Sequence, residues 1–175
     1  MLPPKNSSEE TMVKIDWSEI KNFKKSEFPC DPDKYASPTL IYNLQALREH
    51  IGLPIYPSPV DGALARIDEE SRTSAHYSNP AEGLLSIAID IFIQGNPFEN
   101  FYHIINSCLY HRVGIYFDTY YSNKEWTMFH VDMRVEKQVN SVWYRDQGEY
   151  FYPIVDGFKN LIRKFNEYRT SYFLV

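Results

Sequence analysis

Leu84-Leu85-Ser86-Ile87-Ala88-Ile89-Asp90-Ile91-Phe92-Ile93 and Phe129-His130-Val131-Asp132-Met133-Arg134-Val135 are the two stretches that decide the fold. The first is a strand-like apolar run ending at Gly95, too short to cross a bilayer and interrupted by one carboxylate. The second alternates apolar and polar residues as a strand does, which places His130 and Asp132 on one face. Working outward, residues 97–109 read as a helix with Phe98, Phe101, Ile104, Ile105 and Cys108 on its buried side. Residues 113–117 read as a further strand. Residues 143–152 read as a hairpin turning at Asp146-Gln147-Gly148. A final amphipathic helix is predicted over 156–168. Upstream, Leu40, Ile41, Leu44, Leu47 and Ile51 form one helical stripe that starts at Pro38-Thr39 and ends at Gly52 and Pro54. Ile15, Trp17, Ile20 and Phe23 also fall at roughly helical spacing, and a short strand is expected around Ile55-Tyr56. The order of elements is α+β: a single domain with an antiparallel sheet flanked by helices. Residues 1–12 are a polar tail, and 13–175 form the domain.

The chain of 175 residues is long enough to bury a core without disulfide staples. Its two cysteines, Cys30 and Cys108, are too few for a disulfide framework and are expected as buried thiols. The net charge of -5 and the lack of a basic block argue against nucleic acid as a partner. No apolar run reaches membrane-spanning length. The opening residues have neither an apolar core nor a small-residue cleavage site, so they do not read as a secretory signal. Aromatics make up 16%, which suits a packed sheet or a wet aromatic cleft equally.

Three residues stand out chemically. Asp90 lies inside an apolar strand, where an unpaired charge is costly. Metal coordination would explain it, and so would a structural hydrogen-bonded role. His130 lies in the second strand. His76 lies within a long polar stretch, residues 57–83, of a kind that is either functional or disordered, and precedes the first strand. Two histidines and one carboxylate suit a catalytic zinc, which keeps a fourth position open for water. Such a metal acidifies bound water and polarises a scissile carbonyl, while a nearby carboxylate moves the proton to the leaving amine.

Five pieces of the chain, in order, resemble the zinc D-Ala-D-Ala carboxypeptidases and their phage endolysin relatives. They are Glu27-Phe28-Pro29-Cys30; the helix from Leu40 to Glu49 followed by Gly52-Leu53-Pro54-Ile55; Ser74-Ala75-His76; Ala88-Ile89-Asp90-Ile91; and Gly114-Ile115-Tyr116 with the stretch from Phe129 to Arg134. The similarity spans about residues 23–135. It implies the fold shared by DD-peptidases and the hedgehog signalling domain. It also implies one zinc ion on His76, Asp90 and His130, and cleavage of an amide in a peptidoglycan stem peptide. Asp90 follows His76 by fourteen residues, a longer spacing than the family's, and residues 77–84 form the insert.

The family's catalytic acid lies shortly before the last histidine, which points to Glu125, with Asp132 as the rival or as a group that orients His130. Arg66 and Arg72 lie where the family grips a substrate carboxylate, a task suited to a bidentate guanidinium. Ser74 is a candidate for a hydrogen bond near the metal or substrate, and Tyr116 and Tyr120 are candidates for the oxyanion. His50, His103 and His111 read as structural. The implied setting is a phage or prophage protein that reaches the wall after release or as a virion component. The alternative is a non-catalytic phage structural or wall-binding module on the same fold.

Overall fold

In the computed structural model, the described residues are 14–121, 126–135, 142–153 and 158–172. Six strands form one sheet: β1 (Ile55–Pro57), β2 (Ala88–Gln94), β3 (Arg112–Tyr121), β4 (Trp126–Asp132), β5 (Val142–Asp146) and β6 (Glu149–Phe151). Among the described residues, four α-helices accompany it: α1 (Pro32–Tyr35), α2 (Pro38–Ile51), α3 (Pro97–Ser107) and α4 (Phe158–Tyr172). The class is α+β, as expected. None of the described helices is long and apolar enough to cross a membrane.

The strand order is β1-β2-β4-β3-β5-β6. All neighbours run antiparallel except β3 and β5, which are parallel. This corrects the expectation of a purely antiparallel sheet. β4 is already paired on both sides, so β5 adds at a free edge of the sheet, beyond β3, and there it runs with β3. The hairpin β5–β6 turns at Gln147 (φ 52°) and Gly148 (φ 83°), the pair of positive φ values that a two-residue type I′ turn requires.

Alternation sorts the strands into two faces. Ile89, Ile91 and Ile93 of β2, Val113, Ile115 and Phe117 of β3, and Phe129 and Val131 of β4 enter the main core. There they meet Leu40, Ile41, Leu44 and Leu47 of α2, Ile104 of α3, and Leu161 and Phe165 of α4. α2 starts at Pro38 and is capped by Gly52 at φ 70°, so its predicted limits hold.

Elsewhere the sequence reading is corrected. The strand expected from residue 84 begins at Ala88. Ile15, Ile20 and Phe23 are buried, but through turns and a short 3-10 segment rather than a helix. On α3 the fully buried positions are Asn100 and Ile104, whereas Phe98 and Ile105 are exposed. Phe98 instead packs its ring on Phe165 of α4 at 5.2 Å. Cys108 caps α3 in the left-handed conformation and is exposed, Cys30 is half-buried, and both thiols are free.

Candidate metal centre

The second face of the sheet carries the polar residues. In register, Asp90 of β2 pairs with His130 of β4, His130 with Gly114 of β3, and Gly114 with Trp143 of β5. One transverse row therefore reads carboxylate, imidazole, glycine, indole. The glycine is required by close approach: a Cβ at 114 would lie 2.2 Å from Cζ2 of Trp143. The indole thus lies across β3 and brings its ring to 5.6 Å from that of His130. The next row holds Phe92, Met128 and Tyr116, which with Trp126 and Trp143 make a second, aromatic core cluster.

His76 arrives from the long connection between β1 and β2. That polar stretch is laced into the fold by its backbone. Asp90 N–H donates to the Ala63 carbonyl at 2.9 Å, Arg66 N–H to the His76 carbonyl at 2.8 Å, and Ser78 N–H to the Arg66 carbonyl at 2.9 Å. Ser74 Oγ accepts from His76 N–H at 3.2 Å and turns the residue inward. The 77–84 insert folds out as a small loop closed by paired Asn79 and Leu84. The long spacing between His76 and Asp90 therefore leaves both at one point.

There the donors converge. His76 Nε2 lies 3.0 Å from His130 Nδ1, His130 Nδ1 lies 2.9 Å from Asp90 Oδ1, and His76 Nε2 lies 3.6 Å from Asp90 Oδ1. Metal–ligand bonds of about 2.0–2.1 Å at tetrahedral angles place neighbouring donors about 3.3 Å apart. The triangle brackets that value, so the three buried residues lie close enough to bind one metal ion. His130 uses its other nitrogen backwards: Nε2 lies 3.2 Å from Asp132 Oδ2. A metal-binding histidine commonly has its second nitrogen held in this way. Asp132 is fully buried behind His130, which matches the orienting role of the two considered for it.

The charges agree with this geometry. Burial acts to lower the pKa of both histidines. In His76 it prevails over Asp90, and the ring is held neutral. In His130 hydrogen bonds to Asp132 and Asp90 outweigh it, and the pKa rises. Burial likewise opposes ionisation of Asp90 and Asp132, yet their imidazole partners keep both below the ordinary aspartate value. His130 Nδ1 lies within hydrogen-bond distance of both Asp90 Oδ1 and His76 Nε2. A cation placed among them would meet the same acceptors.

The other sequence candidates fall in different places. Glu125 lies outside the described residues. Arg66 contributes through its backbone, while its exposed guanidinium has Nε 3.4 Å from the Gly62 carbonyl. Arg72 pairs with Glu69 and Glu82 on the surface. Tyr116 is buried next to the metal row, with its ring 5.1 Å from Trp143 and the Arg145 guanidinium 4.6 Å from its ring centroid. Burial, then the charge of Asp90, push its hydroxyl well above the usual tyrosine range. Tyr120 donates its hydroxyl to the Phe117 carbonyl. His50 and His103 meet edge to face, at 5.6 Å between ring centroids, and His111 donates its N–H to the Asp132 carbonyl at 2.9 Å. Sequence reading missed Trp143 and Arg112 as neighbours of the site. Gly114 in mid-strand was the available signal for the first, since glycine there marks close approach. Arg112 carries no signal short of the strand register.

Comparisons with protein-family models, with curated proteins and with solved structures found no match.

Proposed function

We propose that the protein is a zinc-dependent metallopeptidase that hydrolyses an amide bond in peptidoglycan stem peptides, of the D,D-carboxypeptidase or endopeptidase type. The observation that carries this reading is the triangle of His76 Nε2, Asp90 Oδ1 and His130 Nδ1. Two imidazole nitrogens and one carboxylate are the donor set of catalytic zinc, and the ordered resemblance of residues 23–135 to the zinc D-Ala-D-Ala peptidases supports the substrate class. Zinc held there would polarise the scissile carbonyl and acidify a water molecule. The chain's own residues do the remainder. Asp132 holds the Nε2 proton of His130 and so keeps Nδ1 facing inward. Glu125 accepts the proton of the attacking water and returns it to the leaving amine. Arg66, exposed in the same connection that carries His76, is assigned the substrate carboxylate.

A second reading is a metal-holding phage structural or wall-binding module without turnover. It is favoured by the position of Asp132, whose carboxylate is committed behind His130, so that Glu125 alone is left as the base.

Zinc counted per chain and turnover of muropeptides test both readings. The parent is expected to hold one zinc and His130→Ala none. Glu125→Gln is expected to keep zinc and lose at least about a hundredfold in turnover, the usual scale for a general base. A His130→Ala variant that keeps its zinc would overturn the ligand assignment. A zinc-loaded parent that cuts no muropeptide would favour the module.

A further inference from the structure

Behind His130 two arginines converge on one carboxylate. Arg112 opens β3 directly opposite Asp132 in the strand register, and its Nη1 lies 3.2 Å from Asp132 Oδ2. Arg134 follows β4, donates its backbone N–H to Asp132 Oδ1 at 2.8 Å, and brings Nη2 to 3.8 Å from Oδ2. Its Nη1 also donates to the Thr73 carbonyl at 2.8 Å, three residues before His76. Both guanidinium side chains are largely buried, at 15% exposure, and the carboxylate is fully buried. A buried ion pair adds little net stability over apolar packing, because desolvation offsets most of the attraction.

We propose that Arg112 and Arg134 are positioning residues of the metal centre. They fix the Asp132 carboxylate so that Oδ2 takes the Nε2 proton of His130 and leaves Nδ1 aimed at the point shared with His76 and Asp90. Arg134 does a second thing. It ties the β1–β2 connection, which carries His76, to the strand that carries His130. The three ligands come from a long connection and two strands, and Arg134 is a side-chain link between the first and the last. Neither arginine touches the metal position, so both act through Asp132, and Arg134 acts through Thr73 as well. This inference rests on the metal-centre reading above.

The test is a cobalt titration of the full chain, followed by the visible absorption of the bound ion, with thermal melts of the metal-free proteins alongside. Cobalt reports ligand geometry as well as affinity. Arg112→Gln and Arg134→Gln are each expected to weaken cobalt binding by about 10–100-fold, the scale seen when the partner of a ligating histidine is removed. Arg112→Lys, which keeps one donor and the charge, should recover part of that loss. In an Asp132→Asn background, Arg112→Gln should have little further effect on affinity, because the route through Asp132 is already cut. A purely structural arginine would instead give losses that add, with a spectrum unchanged at saturation. Should Arg112→Gln fail to fold, Arg112→Lys and Arg134→Gln carry the same comparison. Parent-like affinity in the folded arginine variants overturns the positioning role and leaves the metal centre standing. A parent that takes up no cobalt or zinc overturns both.

Discussion

The two faces of the sheet use the same strands for opposite purposes. On β2, Ile89, Ile91 and Ile93 are fully buried against helices, while Asp90 between them faces the metal position. On β4, Phe129 and Val131 enter the main core, and His130 and Asp132 alternate with them on the other side. The helical face is mainly apolar, so most of its side chains are alike in kind and differ chiefly in volume. The other face holds four kinds of residue in one row, each placed by the strand register: carboxylate, imidazole, glycine and indole. The contrast teaches that β4 is buried at all seven positions for two different reasons. Its apolar half supplies stability, and its polar half is tolerated because every charge there has a partner.

Separating the faces by mutation should therefore separate stability from metal binding. The largest effect is expected at Phe129, the largest fully buried side chain. Phe129→Ala should cost about 3–5 kcal/mol in denaturant unfolding, as large-to-small core changes do, while folded protein keeps its metal stoichiometry. Loss of metal from still-folded protein would show that the two faces are coupled. Next comes Gly114→Ala, whose added methyl would meet the indole of Trp143 at 2.2–2.5 Å. The ring is buried and cannot swing clear cheaply, so a cost of about 1–3 kcal/mol is expected. Gly114→Ala combined with Trp143→Leu should regain most of it. Equal and additive losses in the double variant would mean that the close approach is not what 114 is for.

The helical face was also the more legible one. The α2 stripe, the limits set by Pro38 and Gly52, and the hairpin at Gln147-Gly148 follow from local rules, because each depends on neighbours within a few residues. Phe98 and Ile105 depart from the sequence expectation because periodicity gives a stripe but not its width. α3 buries Asn100 and Ile104, and leaves the flank with Phe98 half open beside α4. The parallel β3–β5 pair depends on which edge of the sheet is free, which no local pattern encodes. On the polar face, His76, Asp90 and His130 could be picked out because charge and imidazole are conspicuous in their settings. That they meet depends on strand register and on how the insert folds out. Arg112 and Trp143 join the site only through pairing across strands, so they were invisible in one dimension.

The smallest effect concerns pH, and it separates the two histidines from each other. In metal-free protein the pKa of His130 is raised above its ordinary 6.5 by the two aspartates, despite its burial. Its charge therefore contributes stability that is fully present below pH 6.5 and is lost as pH rises through its folded value. The pKa of His76 is lowered below 6.5 by burial. Its neutral ring is stable in the fold at high pH, and stability is lost as pH falls from 6.5 toward its folded value, because only the unfolded chain takes up the proton. Together the pair should give a stability maximum near pH 6.5, with neither slope exceeding about 1.4 kcal/mol per pH unit, the limit for one proton. Melting temperatures in chelator between pH 5.5 and 8 measure it. His130→Asn should remove the fall above the maximum, and His76→Asn the fall below it. Metal competes with the His130 proton, so metal affinity should climb with pH over the range in which metal-free stability declines. If both slopes survive both substitutions, the two histidines are not the groups that titrate. The agreement between charge and geometry at the metal position would then be lost.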